Sequence, residues 1–369
     1  MKAILISVLK NQNFILEDAI EKDNEMRLLC QSAGIEILNK EKIIIKYKDI
    51  DAKTFFTKGK LEQIKNSIDR CNINKAENEI VIVINMDFSP TQIRNCEKFF
   101  GKSIITKTQL IYQIFLTRAN SKPAKIQLEL ANLKYLKSKL AGSYQNFDRI
   151  RGGIGLKGPG ETKLEVDRRS ISKKIKKLEQ QLEKIEKNLV LHIKNRENQF
   201  IFSLVGYTNA GKTSLLNILT KSNQYAENLL FSTVNVKSRQ LYLKSDKKII
   251  VTDTIGFIRD LPVHLVESFK TTLLEIRYSS LIGIVVDSSS SNYKEHIEIV
   301  LSMLKDLNVE NINTIIIFNK IDLLSNEEFI QLKIKNSIDF KDSNMPIFYL
   351  SARTKYGLEN LLNYLKFIS

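Results

Sequence analysis

Eight consecutive residues have the types and spacing needed to hold a chain of phosphates. Residues 206–213 read GYTNAGKT and fit the pattern GxxxxGK[ST], between a strand-like apolar run and a helix-like one. Glycine lets such a loop curl until its N–H groups face phosphate oxygens, and the following helix adds a positive dipole end. Lys212 is expected to reach the β- and γ-phosphates, and Thr213 to give its hydroxyl to Mg²⁺. The predicted phosphate-binding residues are Gly206, Tyr207, Thr208, Asn209, Ala210, Gly211, Lys212, Thr213 and Ser214.

Two segments further along the chain suit a guanine base. Residues 319–322, Asn-Lys-Ile-Asp, follow a strand-like run. The Asp322 carboxylate can accept two hydrogen bonds from the N1–H and N2–H₂ groups of guanine, and adenine offers no such pair of donors. Asn319 is expected to brace the loop, and the stem of Lys320 to lie along the ring. Backbone N–H groups of the Ser-Ala-Arg segment after the next strand-like run are expected to contact guanine O6. The predicted base-binding residues are Asn319, Lys320, Ile321, Asp322, Ser351, Ala352 and Arg353.

A third group of residues suits the metal and the γ-phosphate. Asp253 closes a strand-like run and is expected to bind Mg²⁺ through water, while the N–H of Gly256 is expected to meet the γ-phosphate. Thr233 is expected to contact Mg²⁺ and the γ-phosphate, and to order its loop only with GTP bound. The predicted catalytic residues are Lys212, Thr213, Thr233, Asp253 and Gly256, and the predicted metal ligands are Thr213, Thr233 and Asp253. Further predicted nucleotide contacts are Phe231, Ser232, Val234, Asn235, Thr254 and Ile255.

Two residues bear on the rate of hydrolysis. Many GTPases have a water-orienting Gln after the glycine of this motif, whereas this chain has Phe257, which cannot hydrogen-bond to water. We therefore expect slow hydrolysis by the isolated chain and acceleration by a partner. Asn209 is a candidate for holding K⁺ beside the phosphates; the alternative is that it braces the loop.

Composition limits the class of protein. The 369 residues carry a formal charge of +16, which favours a polyanionic partner, although Lys, Ile and Asn are heavily used throughout. Three widely spaced cysteines without a CxxC pair argue against a disulfide framework and a zinc site. No apolar run is long enough to span a membrane. We expect a cytoplasmic monomer that binds no DNA, with partial membrane association left open.

The elements that must position these residues divide into three predicted domains. Residues 1–120 alternate strand-like and helix-like runs and predict an α/β domain with a largely parallel sheet. Residues 121–198 contain two heptad-patterned helices, which predict an antiparallel helical hairpin. Residues 199–369 hold the nucleotide motifs and predict a Ras-like P-loop domain.

The loop predicted to join the hairpin helices, residues 142–163, is rich in glycine and positive charge. It contains six of the 14 glycines of the chain. Ten Lys or Arg against three acidic residues lie between Arg149 and Lys177. A basic, Gly-rich tip on a stiff stalk suits insertion into an RNA cleft. The alternative is a disordered linker beside a solvated, charged helix.

With these motifs in place, the chain resembles the HflX-type ribosome-associated GTPases over nearly its full length. The resemblance is carried by residues 152–169 (GGIGLKGPGETKLEVDRR), 206–213 (GYTNAGKT) and 253–262 (DTIGFIRDLP), and supported by 58–62 (KGKLE) and 88–95 (FSPTQIRN). It implies binding to the large ribosomal subunit and its rRNA, with the hairpin directed toward the peptidyl-transferase region. It also implies splitting or rescue of stalled or stressed ribosomes, with GTP hydrolysis governing release.

The chain departs from the family pattern at a few positions. Thr213-Ser214 stands where Ser-Thr is usual, and residues 235–238 (NVKS) replace an acidic-Pro-Thr-Thr run. Thr106 and Gln113 stand where acidic residues are common, which weakens the case for the family's second, ATP-binding site.

Three classes of function remain open. The first is a ribosome-remodelling GTPase, and a related alternative is a GTPase switch in large-subunit assembly or RNA processing. The second is an enzyme with a separate reaction centre, for which the scattered His192, His264 and His296 offer no constellation. The third is a nucleotide-controlled assembly protein or a membrane-associated protein, which would need an amphipathic or spanning membrane segment, whereas the hairpin helices are coiled-coil-like.

Overall fold

A computed structural model describes most of the chain. The described residues are 1–10, 16–39, 43–47, 50–70, 80–119, 121–148, 159–194, 199–222, 230–231, 237–243, 248–259, 276–341 and 345–369.

The N-terminal part of the chain forms a parallel sheet with β1 at its centre. β1 pairs with β2, β3 and β4, and β4 pairs with β5, all in parallel. Parallel strands are covered on both faces, which is why β1 and β4 are nearly continuous apolar runs. The strands are β1 (Lys2–Lys10), β2 (Glu36–Ile37), β3 (Ile43–Tyr47), β4 (Ile80–Ile84) and β5 (Ile104–Thr106), and the helices are α1 (Leu16–Ser32), α2 (Lys58–Arg70), α3 (Pro90–Phe100) and α4 (Lys107–Arg118).

The ends of α3 show how local sequence sets a helix boundary. Ser89 and Gln92 form a reciprocal capping box around Pro90, and Gly101 ends the helix with φ 65°. One face of this sheet packs on α2 and α3 through an aliphatic and aromatic core that includes Ile6, Ile82 and Phe56.

The middle of the chain forms the predicted antiparallel hairpin of α5 (Lys122–Asp148) and α6 (Pro159–Lys194). Lys134 of α5 pairs with Glu179 of α6 at 3.1 Å, and the seam is apolar, with Leu130, Ile175 and Leu178 buried. The loop is shorter than the predicted residues 142–163, because α5 continues to Asp148 and Pro159 begins α6. Most of the Gly-rich tip, residues 149–158, lies outside the described residues.

The C-terminal part forms a six-stranded sheet in the order β11-β10-β9-β6-β8-β7. All neighbours are parallel except the edge strand β7, which is antiparallel to β8. The strands are β6 (Phe200–Gly206), β7 (Lys237–Tyr242), β8 (Lys248–Asp253), β9 (Leu281–Asp287), β10 (Thr314–Asn319) and β11 (Ile347–Tyr349), and the helices are α7 (Lys212–Thr220), α8 (Tyr293–Asp306), α9 (Asn326–Asp339) and α10 (Leu358–Ile368).

This strand order creates a binding edge. From β6 the chain builds β7 and β8 on one side and then β9, β10 and β11 on the other, so the loop after β6 lies at a topological switch point. Ligands of open α/β sheets bind at the carboxyl ends of the strands at such points. The fold therefore directs the ends of β6, β8, β9, β10 and β11 toward one site.

Contacts between α-carbons divide the chain into two compact units. One comprises residues 1–117 and 128–180, and the other comprises residues 118–127 and 181–369. The boundary crosses the hairpin rather than following its ends. The division into domains at residues 120 and 198 stays a prediction.

Within the part of the chain that the structure describes, every helix is either too short or too polar to cross a bilayer.

Candidate guanine-nucleotide site

The phosphate loop connects the end of β6 to the start of α7. Gly211 has φ 92°, and a Cβ built on it would lie 2.2 Å from Nδ2 of Asn319. Gly206, at φ 153°, approaches the carbonyl of Val285 so closely that a Cβ would lie 2.3 Å from that oxygen. The two glycines are therefore required by backbone conformation and by close approach to neighbouring strands.

Lys212 lies inside the curl of this loop. Its Nζ donates hydrogen bonds to the carbonyls of Gly206 (3.1 Å) and Tyr207 (2.9 Å). Burial lowers the pKa of Lys212 to about 8, while the nearby Asp253 acts in the opposite direction and Lys320 reinforces the lowering. A charged, buried amine is thus held among carbonyl oxygens where a phosphate chain would neutralise it.

Thr213 and Asp253 lie side by side beneath the loop. The hydroxyl of Thr213 donates to Oδ2 of Asp253 at 2.7 Å, and both residues are buried. A hydroxyl and a carboxylate are the hard oxygen ligands that Mg²⁺ prefers, so this pair fits the ion. Among the described residues there is no group of three or more His, Cys, Asp or Glu that suits a metal. The predicted third ligand, Thr233, lies outside the described residues, together with Ser232, Val234 and Asn235.

The segment after Asp253 is fastened to the phosphate loop. The Thr254 hydroxyl donates to the carbonyl of Leu204 at 2.8 Å, and Ile255 is buried. A Cβ on Gly256 would lie 3.0 Å from Nζ of Lys212, which places this glycine directly against the loop. Phe257 is 2 % exposed. Its N–H donates to Gly206 at 3.0 Å, and its carbonyl accepts from the Thr208 N–H at 2.7 Å.

Asn319 ties the base motif to the phosphate loop. Its Nδ2 donates to the carbonyl of Ala210, and its Oδ1 accepts from the N–H of Ala352, each at 2.9 Å. The same side chain therefore spans three predicted motifs. Because Asn319 already uses the Ala352 N–H, a contact from that group to guanine O6 would have to be shared.

The predicted base-reading carboxylate is held by a hydroxyl. Ser351 donates to Oδ1 of Asp322 at 2.6 Å. Asp322 and Arg353 are exposed, whereas Ser351, Ala352 and Ile321 are buried. Asp322 lies in a 3₁₀ turn that follows β10 at the edge of the sheet, and this position accounts for its exposure.

The remaining predicted residues lie around the same edge. Ala210 and Thr208 are buried, and Asn209, with φ 62°, and Ser214 are half-buried. Phe231 is 2 % exposed with φ 56°, and the preceding carbonyl, that of Leu230, accepts a hydrogen bond from Arg118 at 2.8 Å.

Sequence reasoning missed two contacts at this site. The ring of Tyr207 stacks on His296 with centroids 3.8 Å apart, and its hydroxyl accepts from the N–H of Arg259 at 2.9 Å. Asp287, at the end of β9, pairs with Lys320 at 2.6 Å. Asp287 could have been found from its sequence position, because it closes a buried strand as Asp253 does. The stacking of Tyr207 on His296 had no sequence signal.

Fold and site together define a P-loop GTPase. Three family models match the chain. Residues 21–116 match the family described as "GTP-binding GTPase N-terminal", and residues 118–196 match "GTP-binding GTPase Middle Region". Residues 201–320 match the family described as "50S ribosome-binding GTPase".

Named relatives agree with this class. The chain is 40 % identical to GTPase HflX of Caldanaerobacter subterraneus over 98 % of its length and 79 % of that protein. It is 35 % identical to GTPase HflX of Escherichia coli over 98 % of its length and 81 % of that protein. A crystal structure of SsGBP with GDP matches with a TM-score of 0.53 and 26 % identity, covering 99 % of this chain and 98 % of that one. The chain belongs to the GTPase HflX family, and it is a GTP-hydrolysing enzyme that binds GTP and GDP.

Proposed function

We propose that this protein binds the large ribosomal subunit and its rRNA and splits or rescues stalled or stressed ribosomes, with GTP hydrolysis governing release. The observation that supports this most directly is the exposed cationic stretch of α6. Residues 168–177 (RRSISKKIKK) contain six Lys or Arg and no acidic residue. All six of these cationic side chains are exposed, whereas Ile175 faces the hairpin seam.

The two hairpin helices also form an open basic groove. It has a volume of about 710 Å³ and is lined by Lys134, Lys137, Arg168 and Lys176, with Ser172, Ile175 and Glu179. Among the described residues that line the groove, Glu179 is the one acidic side chain, and it pairs with Lys134. A cationic surface of this kind favours a phosphate backbone through release of counterions. The family description for residues 201–320, "50S ribosome-binding GTPase", agrees with this partner.

In the guanine-nucleotide site, we assign Lys212 and the N–H groups of the phosphate loop to the phosphates, and Asp322 to the edge of the guanine base. Thr213 and Asp253 would hold Mg²⁺, with Thr233 completing the set when GTP orders its loop. The ion, when bound, supplies positive charge that offsets the charge on the β- and γ-phosphate oxygens. Gly256, against Lys212, is suited to report the γ-phosphate to the segment that follows it.

We propose that hydrolysis is slow in the isolated protein and accelerated by the ribosome. The buried Phe257 has no polar side-chain atom, and its backbone is engaged by the phosphate loop, so this position offers nothing to orient water.

K⁺ held by Asn209 would add positive charge beside the phosphates, in addition to that of Mg²⁺. Hydrolysis measured in matched potassium and sodium buffers tests that assignment: equal rates would leave Asn209 as a brace only.

The decisive experiment measures ribosome binding by nucleotide state. Purified protein that is empty, loaded with GDP, or loaded with a non-hydrolysable GTP analogue is sedimented with large subunits, and light scattering follows the dissociation of intact ribosomes. We expect firm binding and splitting only with the GTP analogue. Equal binding in all three states would refute the proposal, whereas binding restricted to precursor subunits would favour a role in subunit assembly.

The proposed setting is the cytoplasm, where the protein would act as a monomer, and partial membrane association is left open. Gel filtration and cell fractionation test these two assignments.

A further inference from the structure

Asp287 uses its two carboxylate oxygens for different tasks. Oδ1 accepts hydrogen bonds from the N–H and the hydroxyl of Ser289, at 3.0 and 2.6 Å. Oδ2 accepts from Nζ of Lys320 at 2.6 Å. Each side chain of this ion pair is 22 % exposed, so the pair is largely shielded but reachable from the nucleotide edge.

The backbone beside this ion pair is also fixed. Asp287 and Asn319 are register partners at the ends of β9 and β10, and the N–H of Ser288 donates to the carbonyl of Asn319 at 2.9 Å. Lys320 has φ 64° and ψ 28°, a left-handed conformation that is uncommon for residues other than glycine. Lys320 therefore follows directly on a residue whose backbone is hydrogen-bonded to the segment after β9.

A lysine stem supports a base more strongly when its flexible chain is already held in one rotamer. Ordering a free lysine side chain costs up to about 2 kcal/mol of entropy, and a flexible stem would impose this cost when the base binds. The ion pair with Asp287 fixes the ammonium before any ligand arrives. The stem between Cα and Nζ is then ordered in advance.

We propose that Asp287 is a positioning residue for the guanine base, which it does not touch: it anchors the Lys320 ammonium so that the lysine stem is ordered against the ring. This rests on the proposed assignment of Asp322 to the guanine edge and on the expectation from the sequence that the Lys320 stem lies along the ring. The carboxylate acts through the lysine, so its contribution exists only while Lys320 is present.

The first test is Asp287→Asn, which keeps an oxygen for Ser289 but removes the charge that holds Lys320. Dissociation of a fluorescent GDP is measured by stopped flow, and GTP turnover at steady state. We expect dissociation and KM to rise about five- to tenfold with kcat unchanged, because ground-state and transition-state binding are weakened equally. The matched control is Asp339→Asn, which removes the same charge from the Lys294–Asp339 pair on α8 and α9. It should leave dissociation unchanged.

The second test separates an effect through Lys320 from a general loss of structure. Lys320→Met should raise dissociation as much as Asp287→Asn, and the double variant should be no faster than Lys320→Met alone. Lys320→Arg, which keeps the charge, should retain slow dissociation. The proposal is overturned if Asp287→Asn changes dissociation less than twofold, or if the two substitutions multiply.

The outcomes remain interpretable when a variant fails to fold. If Asp287→Asn unfolds, equal dissociation from Lys320→Arg and Lys320→Met overturns the proposal on its own. Failure of ribosome binding would not affect these measurements, because they need only nucleotide. An unchanged dissociation rate in Lys320→Met, which keeps an apolar stem but cannot pair with Asp287, would likewise overturn the proposal. The placement of the base is tested separately, by the base preference of Asp322→Asn.

Discussion

If Asp322 reads the base, selectivity depends on matching the acceptors of its carboxylate to the donors on the edge of the base. Its carboxylate offers acceptors only, and Ser351 already donates to one of its oxygens. Asp322→Asn would present a donor to the base edge, as xanthine requires. We expect guanine nucleotides to lose at least tenfold in affinity and xanthine nucleotides to gain, measured by competition with a fluorescent nucleotide. A variant that still prefers guanine would show that Asp322 does not read the base.

Gly211 tests whether backbone conformation limits the phosphate loop. A Cβ there would lie 2.2 Å from Asn319 Nδ2, at a φ of 92°. Gly211→Ala should therefore cost about 1–3 kcal/mol of strain in the loop and weaken GDP binding by tenfold or more, as calorimetry would measure. Gly59→Ala is the matched control, because the space around Gly59 in α2 is open. That control should leave nucleotide binding unchanged; an equal loss in both variants would contradict the argument.

The lowered pKa of Lys212 predicts proton uptake on nucleotide binding. The ammonium of Lys212 has a pKa of about 8, and a bound phosphate would raise this pKa by stabilising the charged form. Nucleotide affinity is therefore fullest below this pKa and falls as the pH rises through it. Calorimetry of GDP binding in buffers of different ionisation enthalpy should show little uptake by this group at about pH 6.5, and an additional uptake approaching one proton at about pH 8.5. The same proton count at both values would contradict the assignment.

At the scale of elements, the residues proposed to contact the ribosome and those proposed to bind nucleotide belong to different elements. The residues of the candidate guanine-nucleotide site lie at the ends of β6, β8, β9, β10 and β11, whereas the exposed cationic stretch, residues 168–177, belongs to α6. Deleting residues 152–160 should leave nucleotide affinity unchanged but abolish ribosome splitting, measured by light scattering. The deletion also removes Pro159 and Gly160, the first two residues of α6.

The control for this deletion replaces residues 152–160 with a Gly-Ser linker of equal length, which keeps the length of the chain between the two helices. We expect the replacement to abolish splitting as well, because it removes Lys157 and changes the spacing of the glycines. Full splitting by the linker variant would show that the tip sequence has no specific role.

At the scale of the whole molecule, the charge of +16 predicts a strong dependence of ribosome binding on salt. Removing one cation that pairs with a phosphate should lower the slope of log affinity against log salt by about one. Lys176→Gln combined with Lys177→Gln should thus lower the slope by about two in sedimentation assays across a salt series. Hydrolysis without ribosomes should be unchanged. An unaltered slope would place the RNA-binding surface elsewhere on the chain.

Local sequence was sufficient to predict the type of fold and most of the nucleotide motifs. The phosphate loop is recognisable locally, because the glycines and the following helix create its geometry within a few residues. Buried parallel strands are recognisable as apolar runs, and the heptad spacing predicts the seam that buries Leu130, Ile175 and Leu178. These features need only neighbouring residues.

The way in which the motifs are joined depends on tertiary packing. Asp287 meets Lys320, and Tyr207 meets His296, because strand order and register bring together residues far apart in the chain. The exposure of Asp322 follows likewise from its position at the open edge of the sheet. A sequence pattern specifies which face of an element is buried, but it does not specify which distant side chain lies opposite. That choice depends on the packing of the whole domain.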